Sequence, residues 1–197
     1  MMYHKLILAL AGFFTLAISS RDHRRSEVDI EPWQVTRLTT FSPSGRPGND
    51  NTAYLYANIT NPNSIPAGPG VEFDASSANC TADWTYIEEE PYNITYTCDT
   101  TETQPSSSSS SISTWTIEVL EADNIAPSPT TNFDVKFTLT TKLTVDGEEY
   151  SKTMTGRQHF QVGDNLSGAC GASGVCSWSL KGEVLIQPTI VACQGTC

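Results

Sequence analysis

Histidine is almost missing from this chain. There are 3, and His4 and His23 precede the first tryptophan, Trp33, so His159 is the only imidazole expected inside a folded domain. A lone histidine on a strand is the ordinary surface or core residue, and it argues against a histidine-rich metal centre. Basic residues are also scarce, with 11 Lys and Arg against 22 Asp and Glu, a formal net charge of −11. Four of the basic residues fall within the first 25 positions, which leaves the remainder more acidic still. Such a surface repels phosphate backbones and anionic lipid, so nucleic acid and membrane surfaces are excluded as partners. Cys-x-x-Cys spacing is absent, as are the glycine loops that cradle phosphates or dinucleotides. The GASG stretch at 171–174 resembles half of a serine elbow, but Val175 stands where the final glycine belongs. No catalytic constellation, metal centre or cofactor is expected.

Long apolar runs are lacking after the first residues. Lys5 precedes an apolar stretch from Leu6 to Ile18, followed by small residues. That is the form of a secretory signal, too short for the roughly 20 residues that cross a bilayer. Residues 1–20 are therefore assigned to a signal peptide and 21–32 to an N-terminal extension. The Arg24-Arg25 pair in that extension suits either a pro-segment cut or a solvated basic patch. The about 172 residues after Arg25 have the length of one ordinary domain, placed at 33–197, and the mature protein is expected to be secreted and extracellular.

Cysteine is plentiful by contrast. Cys80, Cys98, Cys170, Cys176, Cys193 and Cys197 all lie in the mature part, an even number that suggests disulfides outside the cytosol. Six cysteines allow fifteen connectivities. Spacing sets them out as near neighbours: 80 and 98 flank one segment, 170 and 176 bracket GASGV, and 193 and 197 bracket QGT. Acceptors for N-linked sugar stand at Asn58, Asn79, Asn93 and Asn165. Asn79 directly precedes Cys80, so oxidation and glycosylation compete there.

The hydrophobic period is two almost everywhere. From Phe133 to Val145 apolar and polar residues alternate, and the run ends at Asp146-Gly147, suited to the positive φ of a type I′ turn. The return strand would set Tyr150 beside Leu143 and Met154 beside Leu139. Further strands are expected at 33–41, 52–60, 70–75, 91–98, 114–121, 159–162 and 177–187, and no helix is expected. In the PYNITYTC segment, alternation places Tyr92, Ile94, Tyr96 and Cys98 together, with Asn93 opposite. The Ser-rich segment at 101–113 reads as a loop inside one domain. The fold class is all-β, a single disulfide-bonded antiparallel β-barrel, with a β-sandwich as the alternative.

Two constellations bear on function. Glu88-Glu89-Glu90 are consecutive, alternate faces on an extended chain, and read as a solvated turn rather than the facing carboxylate pair of a glycosidase. Tyr54, Tyr56, Trp84, Tyr86 and Tyr92 could form a ligand-facing aromatic platform on which a sugar stacks.

Several of these features together resemble a known family. Trp33, Val35, Leu38 and Phe41 open the domain, and a Pro/Gly loop leads to a strand ending ITNPN. Cys80 and Cys98 enclose Trp84, and Cys170 and Cys176 precede a final SLKGEVLI strand. This order, over about residues 33–191, resembles the Alternaria major-allergen-like family of fungal secreted proteins. The resemblance implies a compact disulfide-bonded β-barrel without an enzymatic motif, with Cys80–Cys98 and Cys170–Cys176 as internal bonds. It implies binding of host defence proteins or small phenolic ligands. Two departures stand out: no cysteine precedes Cys80 to link protomers, and Cys193 and Cys197 are additional, free to bond to each other or to a partner chain. The leading expectation is thus a secreted, non-enzymatic effector or allergen-like protein. The alternatives are a carbohydrate-binding or cell-wall-associated structural protein and, after it, a carboxylate-based glycoside hydrolase.

Overall fold

The computed structural model describes residues 30–101, 111–123 and 126–197. The expected signal peptide, most of the expected N-terminal extension and residues 102–110 of the Ser-rich segment lie outside the described residues. Among the described residues the regular elements are all strands.

The longest pair is the one the alternation marks most clearly. Strand β9 (Asn132–Val145) and strand β10 (Glu148–Gln161) form a hairpin of 14 residues each. Asp146 and Gly147 take φ of 51° and 85° at its tip, both positive as a type I′ turn requires. Tyr150 lies opposite Leu143, and Met154 opposite Leu139. The expected strand at 159–162 is the end of β10 itself rather than a separate element.

Two large antiparallel sheets are built around this hairpin. The five-stranded sheet runs β14 (Thr189–Gln194), β10, β9, β8 (Ile112–Glu121) and β6 (Thr95–Thr97). The seven-stranded sheet runs β11 (Leu166–Cys170), β12 (Cys176–Leu180), β1 (Trp33–Ser42), β2 (Thr52–Asn61), β5 (Ser76–Thr85) and β7 (Asp99–Thr101). Its remaining strand, β13 (Val184–Ile186), shares one edge of β1 with β12. A small hairpin, β3 (Ile65–Gly68) with β4 (Val71–Phe73), completes the set. Both large sheets are open, and among the described residues no closed barrel forms. The reason lies in the edges: β6 and β7 are three residues each, too short to carry a ladder from one sheet to the other.

Alternation places one apolar face of each sheet in a common core. Trp33, Val35, Leu38, Leu55 and Ile59 from the seven-stranded sheet meet Trp115, Ile117, Val119, Phe137 and Leu139 from the five-stranded one, all essentially inaccessible to water. Trp33 and Trp115 meet edge to face with ring centroids 4.7 Å apart. The Trp115 indole N–H donates to Ser76 Oγ at 3.1 Å, whereas the buried Trp33 indole N–H has no partner among the described residues. A second, smaller cluster of Ala67, Phe73 and Leu143 lies under the β3–β4 hairpin.

Three sulfur bridges tie neighbouring segments together. Cys98 stands between β6 of one sheet and β7 of the other, and its bond to Cys80 pins that crossing to β5. Both cysteines are buried, and Cys98 N donates to Trp115 O at 2.9 Å. Cys170–Cys176 closes the β11–β12 hairpin, and Cys193–Cys197 closes a loop at the C-terminal end of β14. Three bonds and no free thiol suit an oxidising compartment. No helix among the described residues is long and apolar enough to cross a membrane.

Two further expected strands differ in the structure. Asn93 takes φ +60°, which breaks the alternation of PYNITYTC, so Ile94 is 45% exposed while Cys98 is buried. The 177–187 run is divided at residues 181–183 into β12 and β13. β7 ends at Thr101 and β8 begins at Ile112, which bounds the Ser-rich segment.

Candidate functional site: the outer face of the seven-stranded sheet

The outer faces of the two sheets differ in chemistry. On the five-stranded sheet the outward residues of β8, β9 and β10 are mainly threonines and ion-paired groups, with Ile112, Ile190 and Val191 exposed on its β8 and β14 strands. Lys136 Nζ lies 2.6 Å from Glu118 Oε2, and Asp134 holds both Arg157 Nε at 2.6 Å and His159 Nδ1 at 2.7 Å. His159 is thus engaged by a neighbouring carboxylate, and no group of three or more His, Cys, Asp or Glu able to hold a metal occurs among the described residues.

The seven-stranded sheet presents aromatics and amides instead. Phe41 on β1 lies opposite Tyr54 on β2, and their rings stack with centroids 5.2 Å apart. Next along β2, Tyr56 carries the Arg37 guanidinium 5.1 Å above its ring. Asn58 follows on the same face, directly opposite Asn79 on β5. Asn58 Nδ2 donates to the Tyr56 hydroxyl at 3.1 Å and also to Asn79 Oδ1, and the Tyr56 hydroxyl donates to that same oxygen at 3.2 Å. Thr81 and Asp83 flank the tyrosines on β5, and Ser177 and Ser179 flank Phe41 and Thr39 on β12. The result is a half-buried aromatic row rimmed by hydroxyls, amides and one carboxylate, suited to stacking on a flat ring while hydrogen-bonding its substituents.

Local structure explains the membership of this row. β1 begins with Trp33 and Val35 pointing inward, but its register against β2 shifts between Val35 and Arg37. That extra residue reverses the parity, so Leu38, Thr40 and Ser42 point inward and Phe41 outward. Simple alternation from Trp33 would have put Phe41 in the core, which is why it is missing from the aromatics singled out by sequence. Arg37 was missed for the same reason. The inward Thr40 and Ser42 are satisfied by Thr130, whose carbonyl accepts from Thr40 Oγ1 at 2.7 Å and whose hydroxyl accepts from Ser42 Oγ at 3.1 Å.

Of the five aromatics proposed from sequence, Tyr54 and Tyr56 belong to this face. Trp84 is 5% exposed and lies inside the core, because β5 runs Ser76, Ala78, Cys80, Ala82, Trp84 along its inner face. Tyr86 and Tyr92 are half-buried against the core from beyond the strand ends. Burial, then the charges of Glu121 and Glu90, push the Tyr92 phenol up to about 12. These three do not join the platform.

The remaining sequence candidates are scattered. Glu88, Glu89 and Glu90 are exposed on the turn after β5, where Glu89 accepts from Thr85 N at 2.8 Å. That hydrogen bond draws its carboxyl below the ordinary range, the opposite of what a general acid needs. Asn93 is exposed in its left-handed turn. Asn165 is tied down, donating to His159 O at 2.8 Å and accepting from Gln161 N at 2.9 Å. No family model, curated protein or solved structure matches the chain.

Proposed function

We propose that this chain is a secreted, non-enzymatic binding protein of the effector or allergen-like type, which takes small phenolic ligands or host defence proteins against the outer face of its seven-stranded sheet. The two open sheets are read as a disulfide-stapled sandwich whose interior is filled and whose recognition surface is external. The observation that carries the reading is the Phe41–Tyr54 stack with the Arg37–Tyr56 pair beside it, aromatic side chains placed on the wet side of a sheet whose dry side is already packed. A phenol ring extends such a stack, and its hydroxyls find Asp83, Thr81 and Ser177 on the flanking strands. The resemblance in the order of tryptophans, strands and cysteine pairs supports the same class.

Ligand-observed NMR with a panel of small phenols tests it. The wild-type chain is expected to bind, and Phe41→Ala/Tyr54→Ala to lose affinity at least tenfold at unchanged folding. A wild-type protein that binds no phenol and retains nothing from a plant extract sinks the proposal. A second reading is favoured by the amide and hydroxyl rim around Tyr56: retention on an insoluble wall glycan. Sedimentation with chitin, glucan and cellulose separates the two, since only the second requires the protein to leave the supernatant.

A further inference from the structure

Two of the four glycan acceptors are cross-strand partners, and that juxtaposition has a chemical consequence. Asn58 and Asn79 face each other at one register position of β2 and β5, both outward and half-buried. Side chains in such a position have Cβ atoms about 4.5–5.5 Å apart, less than the width of a pyranose ring with its hydroxyls. Their carboxamides are in direct contact, so two sugars attached there would occupy the same space above the sheet. The neighbouring positions offer little room to splay. Arg37 lies beyond Asn58 on β1, and Asp99 lies beyond Asn79 on β7.

The two amides are not equivalent. Both hydrogens of Asn58 Nδ2 are engaged, one by the Tyr56 hydroxyl and one by Asn79 Oδ1. Asn79 takes part through its oxygen, which accepts from both Asn58 and Tyr56. Its nitrogen donates to nothing among the described residues. A sugar on Asn79 Nδ2 leaves this triangle of bonds intact, whereas a sugar on Asn58 Nδ2 must break one of them.

We infer that the Asn58–Asn79 pair carries one N-linked glycan and not two, and that Asn79 is its acceptor. The inference rests on the secretory reading above, because the sugar is added only on that route. It deepens that reading in two ways. The Asn79 sugar must be attached before Cys80 is sealed against Cys98, since Cys80 is the middle residue of the acceptor triplet and is wholly buried once bonded. A chain sugared at both positions cannot close β2 on β5 and is retained instead of exported. The glycan also bounds the platform on the Tyr56 side and leaves the Phe41–Tyr54 stack, four residues or about 13 Å along the strand, open to ligand.

Intact mass measurement on protein from a eukaryotic secretory host tests this. The Asn93→Asp/Ser167→Ala variant removes the other two acceptors while sparing the left-handed turn and the Asn165 hydrogen bonds. Its secreted form is expected to carry a single glycan, and enzymatic release in heavy-oxygen water to label Asn79 alone. Two glycans on one secreted molecule, a label on Asn58, or a bare pair overturns the inference. Wild-type protein supplies the control. Exported chain with Asn93 sugared and the pair doubly occupied or bare overturns the inference and leaves the secretory reading standing. Chain that is neither exported nor sugared at Asn93 overturns both.

Discussion

At the scale of single residues, the most unusual group is Lys152. It is only 3% exposed on the inward side of β10, and its ammonium donates from Nζ to Pro66 O at 3.3 Å. No carboxylate lies within ion-pair distance of it among the described residues. Burial therefore lowers its pKa below the ordinary 10.5. Below the folded-state pKa the group is charged in both states, and folding bears the whole desolvation cost. As pH rises toward 10.5 the folded protein sheds the proton before the unfolded chain does, so stability increases with pH in that window. Lys152→Met is expected to stabilise the protein by about 1–2 kcal/mol at neutral pH, with the gain shrinking in alkali. Urea melts of both forms across pH check this, and a gain that grows with pH would refute it. Tyr92 offers a second residue-scale reading. Following phenolate absorbance during alkaline titration should show one tyrosine ionising at about 12, a step that vanishes in Tyr92→Phe.

Among the elements, β10 shows how a strand is fitted to its neighbours. Gly156 interrupts an otherwise bulky inner face, and a Cβ there would fall 2.6 Å from Ile186 Cγ2 and 3.3 Å from the Trp33 ring. The missing side chain is what lets β13 and the indole approach the strand. Gly156→Ala is expected to cost about 1–3 kcal/mol by overpacking, and trimming Ile186 to Ala in the same chain should restore part of it. A double-mutant cycle in chemical denaturation measures the coupling, and strict additivity would show that the close approach does not matter. The β9–β10 hairpin could be read from sequence to the exact residue pair because alternation and turn residues agree there. β5 could not. Its inner face is Ser76, Ala78, Cys80 and Ala82, small residues with little strand preference, and only their regular spacing against Asn79, Thr81 and Asp83 marks a strand. Its smallness is functional for packing, since Ser76 receives the indole N–H of Trp115.

Across the whole molecule, covalent bonds substitute for closure. Cys80–Cys98 spans 18 residues and holds the point where the chain leaves one sheet for the other. Removing it as Cys80→Ala/Cys98→Ala should cost about 3 kcal/mol from chain entropy alone, and more because both sulfurs lie in the core. Cys193–Cys197 spans 4 residues at an exposed end, so Cys193→Ser/Cys197→Ser should cost no more than about 2 kcal/mol. Equilibrium urea unfolding ranks the two, and a larger loss at the C-terminal pair would contradict this account. The amino-acid sequence by itself determined what depends on neighbours along the chain: an all-β class from period-two alternation, the β9–β10 register from its turn, and the closeness of cysteines that the structure then joins. Tertiary structure decided what depends on a single inserted residue or on contacts between distant strands. The bulge after Val35 turned Phe41 and Arg37 outward, the pairing of β5 set Trp84 on its inner face, and short edges left two open sheets in place of a closed one. Parity and closure are properties of pairing, and pairing joins segments that local pattern cannot see together.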